Sequence, residues 1–189
     1  ELFWVEPRTR AILPLDGFHL SRSLAKRLRS GRYRVTTDQA FAEVLLGCAD
    51  RDETWINRPI EQAMLRLFDL GFAHSIDVWE GNTLVGGESM FSRSVDASKV
   101  ALAFLVARLR LGHFRLLDCQ FMTEHLSSLG AVDVPRRTYV ELLAQALARD
   151  DQAVPPSWGA LDGLLSPLSG PASSGAPGKV IAQLLGETS

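Results

Sequence analysis

The stretch 97–111 constrains the fold most, because it predicts a helix that is apolar on almost every side. Only a few charged side chains interrupt it, and Gly112 ends it. Such a helix has to be buried on most of its faces, so other elements must cover it. Its longest apolar run is too short to span a bilayer, and no signal peptide pattern is visible. We therefore expect a cytoplasmic protein without a membrane anchor.

Predicted strands and helices alternate on both sides of this helix. Residue patterns favour strands at 10–13, 33–36, 73–79, 84–86, 114–120 and 131–134. Helices are predicted at 21–30, 59–71 and 123–129, and after two capping-box spacings, Thr36 with Gln39 and Thr138 with Glu141. This order predicts an α+β protein with a mixed central β-sheet flanked by helices. By analogy of fold alone, it matches a GNAT-like acyltransferase domain.

We divide the chain into three predicted parts. Residues 1–57 form an N-terminal part with a basic helix, and residues 58–150 form the GNAT-like catalytic core. Residues 151–189 form a C-terminal extension, which beyond Ser166 is rich in Ser, Gly, Pro and Ala. Because such segments bury little apolar surface, we expect the extension to be largely flexible and assign it no secondary structure.

Two polar residues end the predicted strand at 114–120. Side chains alternate across a strand, so Asp118 and Gln120 are expected on the same face. An acid and an amide beside an apolar core suggest a reaction centre. Glu88 adds a second carboxylate that can hold a cationic group. The alternative is structural, with Glu88 and Asp118 in salt bridges to Arg93 or Arg115.

A basic segment lies between His19 and Thr37 and contains no acid. It is either a solvated helix face or a patch that faces phosphates, since cationic side chains gain by releasing counterions from a nucleic acid. A second candidate for nucleic acid contact is Trp55, in a polar loop. Its ring either covers core or stacks on a base.

Several kinds of chemistry lack support in the sequence. The four histidines lack the paired spacing of a zinc site, and there is no Gly-rich phosphate loop. Ser89 and Ser92 have no adjacent histidine base. Cys119 is interpreted as a core residue, because the neighbouring Asp118 disfavours a thiolate. The net charge of −2 gives no overall attraction to nucleic acid.

Several motifs in the same order resemble those of the bacterial leucyl/phenylalanyl-tRNA–protein transferases. They lie at 54–56, 74–79, 84–87, 88–93, 117–120, 125–131 and 135–137. The similarity covers roughly residues 4–148, and several motifs in register are far more specific than any one of them. The resemblance implies a GNAT-like domain that uses aminoacyl-tRNA in place of an acyl-CoA.

The resemblance also implies the reaction. Members transfer Leu or Phe, less often Met, from Leu-tRNA or Phe-tRNA to the N-terminal Arg or Lys of a protein. The product is a degradation signal of the N-end rule. Because the tRNA ester drives the transfer, no cofactor, ATP or metal is expected. We further expect a monomer.

Roles follow for residues already singled out. Asp118 and Gln120 match the reaction-centre acid and amide, as a proton relay or as orienting groups, and we favour orientation. Glu88 matches the acid near the acceptor's basic side chain, and Trp55 the aromatic near the terminal adenosine. The donor side-chain pocket is assigned to Met90, Leu102, Leu105 and Leu117. The tRNA backbone is assigned to Arg22, Lys26, Arg27 and Arg29.

The family pattern has residues with no counterpart here, before Leu2 and between Gly87 and Glu88. We expect this chain to be incomplete at both places rather than pared down, because a central strand cannot be cut without exposing its neighbours' backbone groups. Two other functions remain open. One is a GNAT-type N-acyltransferase that uses acyl-CoA, although no pyrophosphate loop precedes 97–111. The other is a non-catalytic tRNA-binding module.

Overall fold

A computed structural model describes residues 6–50, 54, 56–88, 91–148, 154–166 and 176–186 of the chain. The described strands are β1 (Thr9–Ile12), β2 (Arg34–Thr37), β3 (Ile76–Glu80), β4 (Thr83–Glu88), β5 (Phe91–Ser92), β6 (Asp118–Gln120) and β7 (Val132–Pro135). The described helices are α1 (Arg22–Arg29), α2 (Phe41–Ala49), α3 (Arg58–Asp69), α4 (Ala97–Leu111), α5 (Glu124–Ser128), α6 (Arg136–Leu147), α7 (Ala160–Leu165) and α8 (Ala176–Gly186). A short 3-10 helix spans Leu15–Gly17.

The chain divides into two compact units. The first unit contains Glu1–Leu20, Val106–Pro167 and Leu185–Ser189, and the second contains Ser21–Leu105 and Leu168–Leu184. Each is therefore built from segments that are distant in sequence. The predicted parts 1–57, 58–150 and 151–189 are divisions by function, and they stay a prediction.

The first unit contains a three-stranded antiparallel sheet in the order β6-β1-β7. The central strand β1 is short because Pro14 follows it closely, and it buries Ala11 completely. Arg10 lies opposite Val134, whereas Ile12 lies opposite Asp118. A register shift between Ala11 and Ile12 interrupts the pairing with β6. The sheet thereby brings the start of the chain next to the predicted reaction-centre strand.

The second unit contains a four-stranded antiparallel sheet in the order β2-β3-β4-β5. The mixed α and β class is thus confirmed, but one mixed central sheet is wrong for the described strands. They form two sheets, and all their pairings are antiparallel. The alternating patterns identified the strands but not their partners, because pairing depends on residues far apart in sequence.

Two adjacent glycines in β4 allow other elements to approach its backbone. A Cβ on Gly86 would lie 2.8 Å from the Cβ of Ala97, where α4 begins. A Cβ on Gly87 would lie 2.8 Å from both methyl groups of Val44 in α2. Because real Cβ contacts are never that short, the glycine pair is required for this packing. The pairing of β4 with β3 continues through Gly87 and Glu88, opposite Asp77 and Ile76.

Helix α4 is buried as its composition predicts. From Val100 to Phe104 every side chain is buried. Helices α1, α3 and α5 also lie where the sequence predicts them, and Ser21, Asn57 and Thr123 cap them. Among the described residues, no helix combines the length and apolar character that a membrane span requires.

Both predicted capping boxes are wrong. Thr36 lies in β2, and α2 begins at Phe41 without a side-chain cap. The hydroxyl of Thr36 instead donates to the buried carboxylate of Asp77, at 2.7 Å. Helix α6 begins at Arg136, two residues before Thr138, because Pro135 already stands in the N-cap position. The spacing of the first capping box is overridden by a contact with a residue distant in sequence, and that of the second by a proline.

The absence of secondary structure predicted beyond Ser166 is wrong for 176–186, which forms α8. Its Ile181 and Ala182 are almost completely buried. In the same C-terminal extension, α7 is held in the first unit by a buried arginine. Arg108 donates to both carboxylate oxygens of Asp162 and to the carbonyl of Trp158. Apolar residues spaced among Gly, Ser and Pro still gave these helices a face to bury.

Asp77 generates a first prediction, because it is a completely buried acid with three donors. It accepts hydrogen bonds from the Thr36 hydroxyl, the Gln39 amide and the Ser75 hydroxyl. Asp77→Ala removes the buried acceptor of all three donors, of which the Ser75 hydroxyl is itself buried, and should lower the free energy of unfolding by about 3 kcal/mol. Urea unfolding measures this. The exposed Asp69→Ala is the control, and an equal effect of both substitutions would contradict the prediction.

Candidate active site

Asp118 lies at the beginning of β6 and is paired with an arginine of the neighbouring strand. The Arg10 guanidinium binds its carboxylate with Nε at 2.9 Å from Oδ1 and Nη2 at 2.7 Å from Oδ2. About a quarter of each side chain remains exposed. The pair is therefore bidentate and partly shielded from water, the geometry in which an ion pair contributes most.

Two further donors complete the environment of this carboxylate. The hydroxyl of Tyr139, in α6, donates to Oδ2 of Asp118 at 3.0 Å. The backbone amide of Gln120 donates to Oδ1 at 2.8 Å. The Arg10 guanidinium also lies over the Tyr139 ring, 5.4 Å from its centroid. Asp118 thus connects β1, β6 and α6, and we call Arg10, Asp118, Gln120 and Tyr139 the Asp118 cluster.

The cluster keeps Asp118 ionised. Partial burial alone would raise the pKa of Asp118, but hydrogen bonds from Arg10, the Gln120 amide and Tyr139 outweigh it. The pKa of Asp118 is therefore lower than usual. The same contacts raise the pKa of Arg10, chiefly through the hydrogen bond to Asp118. The pKa of Tyr139 is raised by burial and by Asp118, so its hydroxyl stays protonated at neutral pH.

Gln120 departs from regular strand geometry. Its φ is 65°, in the left-handed region that a side chain with a Cβ adopts rarely. The expectation that Asp118 and Gln120 share a strand face by simple alternation is therefore not met, because alternation requires extended backbone at both residues. The Gln120 amide bound to Asp118 holds this conformation, and the Gln120 side chain is exposed. Strained backbone beside an ionised acid is common at functional sites.

The salt-bridge partners proposed from sequence are wrong for Asp118. Its partner is Arg10, whereas Arg115 donates to the backbone carbonyl of Gln145. Arg93 instead pairs with Asp50. The strand is also shorter than the predicted 114–120, since only its last three residues are in β6. Cys119 is half-buried rather than a full core residue.

Sequence reasoning missed Arg10 and Tyr139. Arg10 lies in a predicted strand, and Tyr139 follows the motif at 135–137. Neither signal indicates a contact with Asp118, because the residues are separated from it by 108 and 21 positions. A charged residue inside a short apolar strand was the available clue. Such a residue needs a partner when its strand is half-buried.

The basic helix α1 presents its charges as the sequence predicts. Leu24, Ala25 and Leu28 form its buried side. Arg22, Lys26 and Arg29 are exposed, and no ion pair involves them among the described residues. The fourth cation assigned to the tRNA backbone, Arg27, differs, because it lies 3.5 Å from a carboxylate oxygen of Asp96.

The other assigned residues are only partly described. Trp55 and Met90 lie outside the described residues, as does the side chain of Glu88, whose backbone ends β4. Leu102 and Leu105 lie three residues apart on α4, in the second unit, and Leu102 is 1% exposed. Leu117 lies in the first unit, and its carbonyl accepts from the Leu13 amide. The donor pocket therefore stays a prediction.

Metal ligands are not grouped in the part of the chain that the structure describes. No three His, Cys, Asp or Glu side chains lie close enough there to hold an ion. The Asp118 carboxylate is satisfied by Arg10, Tyr139 and the Gln120 backbone amide, whereas the Gln120 side-chain amide is exposed. The cluster can therefore orient a substrate through the side-chain amide of Gln120. It can also supply a fixed negative charge, that of Asp118, which Arg10 shields.

The lowered pKa of Asp118 generates a second prediction. A carboxylate whose pKa is lower in the folded state stabilises the fold above its unfolded pKa of about 3.9 and loses that contribution as the pH falls through the folded pKa. The stability difference between wild type and Asp118→Asn should therefore be largest at neutral pH and shrink below about pH 4. Urea unfolding across this range measures it. Exposed Asp133→Asn is the control, and a pH-independent difference for Asp118→Asn would contradict the prediction.

Comparison with known proteins identifies the family. Residues 12–144 match the family described as leucyl/phenylalanyl-tRNA protein transferase. A protein of that name from Cereibacter sphaeroides (strain ATCC 17025 / ATH 2.4.3) is 52% identical, over 84% of this chain and 79% of its own. One from Ruegeria pomeroyi is 54% identical, over 78% of this chain and 76% of its own. One from Rhizorhabdus wittichii is 50% identical over the whole of this chain and 89% of its own.

The first of these alignments is 170 residues long, but it covers only 84% of the 189 residues of this chain, which is fewer than 170. The relative therefore has residues with no counterpart here. Strand β4 runs from Gly87 into Glu88 without a break, so the structure does not support the expectation that residues are missing there. The match begins at Ile12, the last residue of β1, and covers β6 and most of α6. It therefore includes Asp118, Gln120 and Tyr139 of the cluster, but not Arg10. The chain therefore belongs to the leucyl/phenylalanyl-tRNA–protein transferase family.

Proposed function

We propose that this chain transfers Leu or Phe, and less often Met, from an aminoacyl-tRNA to the N-terminal Arg or Lys of an acceptor protein. The Asp118 cluster is proposed as the reaction centre. The amine nitrogen of the acceptor attacks the ester carbonyl carbon, and a peptide bond forms. The bond from that carbon to the ribose oxygen breaks, and the amine proton ends on the released ribose hydroxyl. Membership of the family and the ionised Asp118 beside an exposed amide support this.

The contacts of Asp118 favour an orienting role over that of a general base. A carboxylate has about four acceptor positions, and here Arg10 Nε, Arg10 Nη2, the Tyr139 hydroxyl and the Gln120 amide occupy them. Such a carboxylate is a weak proton acceptor, and its lowered pKa agrees. We therefore infer that Asp118 is a positioning residue, which holds Gln120 in its left-handed conformation. The exposed side-chain amide of Gln120 is then the group that contacts the reacting ester or amine.

Positioning is sufficient for this reaction. The tRNA ester is already activated, so an amine held close to its carbonyl needs no metal or ATP. A site that binds both substrates makes the attack effectively unimolecular, which is where most of the rate enhancement arises. Rigid backbone at Gln120, fixed by Asp118, serves this purpose because its side chain is presented from a defined position.

The remaining roles are proposed from the family. Glu88 selects an acceptor with a cationic side chain, since a carboxylate favours Arg or Lys. Trp55 stacks on the terminal adenosine of the tRNA. The donor side chain occupies an apolar pocket, for which Leu102, Leu105, Leu117 and Met90 are proposed. Its shape should disfavour β-branched Ile and Val by roughly 1–3 kcal/mol. The product carries an N-end rule degradation signal, and the enzyme is proposed to act as a cytoplasmic monomer.

The alternatives find less support. A GNAT-like arrangement of the core is proposed, but a transferase that uses acyl-CoA is not favoured, because the family match is to proteins named for aminoacyl-tRNA. A tRNA-binding module without activity has no use for a strained Gln120 held by an ionised acid. It would retain its function after loss of Asp118.

A transfer assay tests the proposal. Wild type should transfer labelled Phe or Leu from tRNA to a peptide that begins with Arg, and Asp118→Ala should lower kcat roughly 100-fold because Gln120 is no longer held. Tyr139→Phe removes one hydrogen bond to a charged group and should cost about tenfold. Glu88→Gln should raise KM for the peptide. Asp133→Ala, on the adjacent strand β7, should match wild type.

Each outcome has a consequence. No transfer by wild type would refute the proposed function. Transfer that survives Asp118→Ala unchanged would remove the cluster from the reaction centre. A rate that depends on the ionisation of Asp118 itself, rather than on the acceptor amine with its pKa of about 8, would favour the general-base alternative.

The basic helix predicts a salt effect. Each phosphate contact made by a cation adds about one unit to the slope of log affinity against log salt. Arg22→Ala and Lys26→Ala should each reduce this slope by about 1 for Phe-tRNA binding, measured by fluorescence anisotropy between low and moderate salt. Arg66→Ala, an exposed arginine of α3, is the control. Unchanged slopes for Arg22→Ala and Lys26→Ala would show that the basic face of α1 is a solvated surface that does not contact the tRNA.

A further inference from the structure

The C-terminal helix α8 packs against the basic helix α1 within the second unit. A Cβ on Gly178 would overlap the backbone carbonyl of Leu28. Only glycine allows the two backbones to approach so closely, because any larger residue would meet backbone rather than a movable side chain. Gly178 is buried, and so are Ile181 and Ala182 on the next turn.

The two helix ends that meet are complementary. Gly178 lies in the first turn of α8, where backbone amides have no intrahelical acceptors. Leu28 lies in the last turn of α1, where backbone carbonyls have no intrahelical donors. The partial positive charge of the first turn and the partial negative charge of the second attract each other. This contact therefore fixes the C-terminal end of α1 more firmly than apolar packing alone.

The exposed cations of α1 depend on this position. Arg29 follows directly after Leu28, and Lys26 and Arg22 lie one and two turns earlier on the exposed side. At the other side of the helix, Arg27 is 3.5 Å from Asp96. Asp96 immediately precedes α4. Helix α1 is thus in contact with α8 through Leu28 and with the residue before α4 through Arg27.

We propose that α8 is a positioning element for aminoacyl-tRNA: the Gly178–Leu28 contact sets the orientation of α1, and thereby aligns Arg22, Lys26 and Arg29 with the phosphates of the bound tRNA. This inference rests on the proposed function. It assigns a role in substrate binding to a segment beyond residue 144, where the family match ends. Helix α8 contacts no tRNA in this role and acts only through α1.

The test uses the full chain with Gly178→Ala and, as its matched control, Gly186→Ala. Both substitutions are in α8, and a Cβ on Gly186 would meet nothing within 4 Å. Gly178→Ala forces α8 away from Leu28 and should raise KM for Phe-tRNA about tenfold. It should leave kcat unchanged, and also the kinetics with phenylalanyl-adenosine, a donor without the phosphate backbone. A merely structural defect would affect both donors.

The outcomes separate this inference from the proposed function. If wild type transfers from neither donor, the proposed function fails. If wild type transfers and Gly178→Ala behaves as Gly186→Ala does, the positioning role is overturned while the function stands. An equal loss of activity of Gly178→Ala with Phe-tRNA and with phenylalanyl-adenosine would also overturn the positioning role.

Hydrogen exchange of wild type provides a test that needs no variant, in case Gly178→Ala does not fold. Phe-tRNA should slow amide exchange in α1, where it binds, and also in α8, because the two helices are held together through Gly178. Exchange in α3, which carries no proposed contact to the phosphates, serves as the internal reference. Protection of α1 with no change in α8 would overturn the proposal.

Discussion

The ion pair between Arg10 and Asp118 is the interaction on which the candidate site depends. It joins two strands that are distant in sequence, and it supplies the charge that holds the Gln120 amide and the Tyr139 hydroxyl. Without Arg10, partial burial would disfavour the ionised form of Asp118. The bidentate contact therefore favours the ionised Asp118, which is the acceptor for the Tyr139 hydroxyl and for the backbone amide of Gln120.

Local sequence patterns predicted the elements well where one physical rule acts alone. The apolar helix α4 and the capped helices α1, α3 and α5 follow from periodicity and caps. Prediction failed where a distant residue competed. The hydroxyl of Thr36 donates to Asp77 instead of capping a helix. Helix α8 is stabilised by burial against elements that precede it by more than a hundred residues.

The candidate site shows the same division. Asp118 and Gln120 were found from two polar residues that end a strand, yet the reason for their proximity differs from simple alternation. The left-handed backbone of Gln120 and the partners Arg10 and Tyr139 depend on the pairing of β1 with β6 and on the position of α6. No spacing in the sequence encodes these contacts, because they arise only when the sheet is assembled. The resemblance to the family supplied the substrates, which geometry alone does not name.

The order of strands β6-β1-β7 has a consequence for synthesis on the ribosome. Strand β1 emerges early, but both of its partners are encoded more than a hundred residues later. The polar backbone of β1 has no strand to pair with until β6 has left the exit tunnel, and closing so long a loop makes such pairing slow. The Arg10–Asp118 contact thus forms only after 108 further residues have been made. A nascent chain that is released before β6 is made therefore contains the basic helix α1 but not the assembled Asp118 cluster.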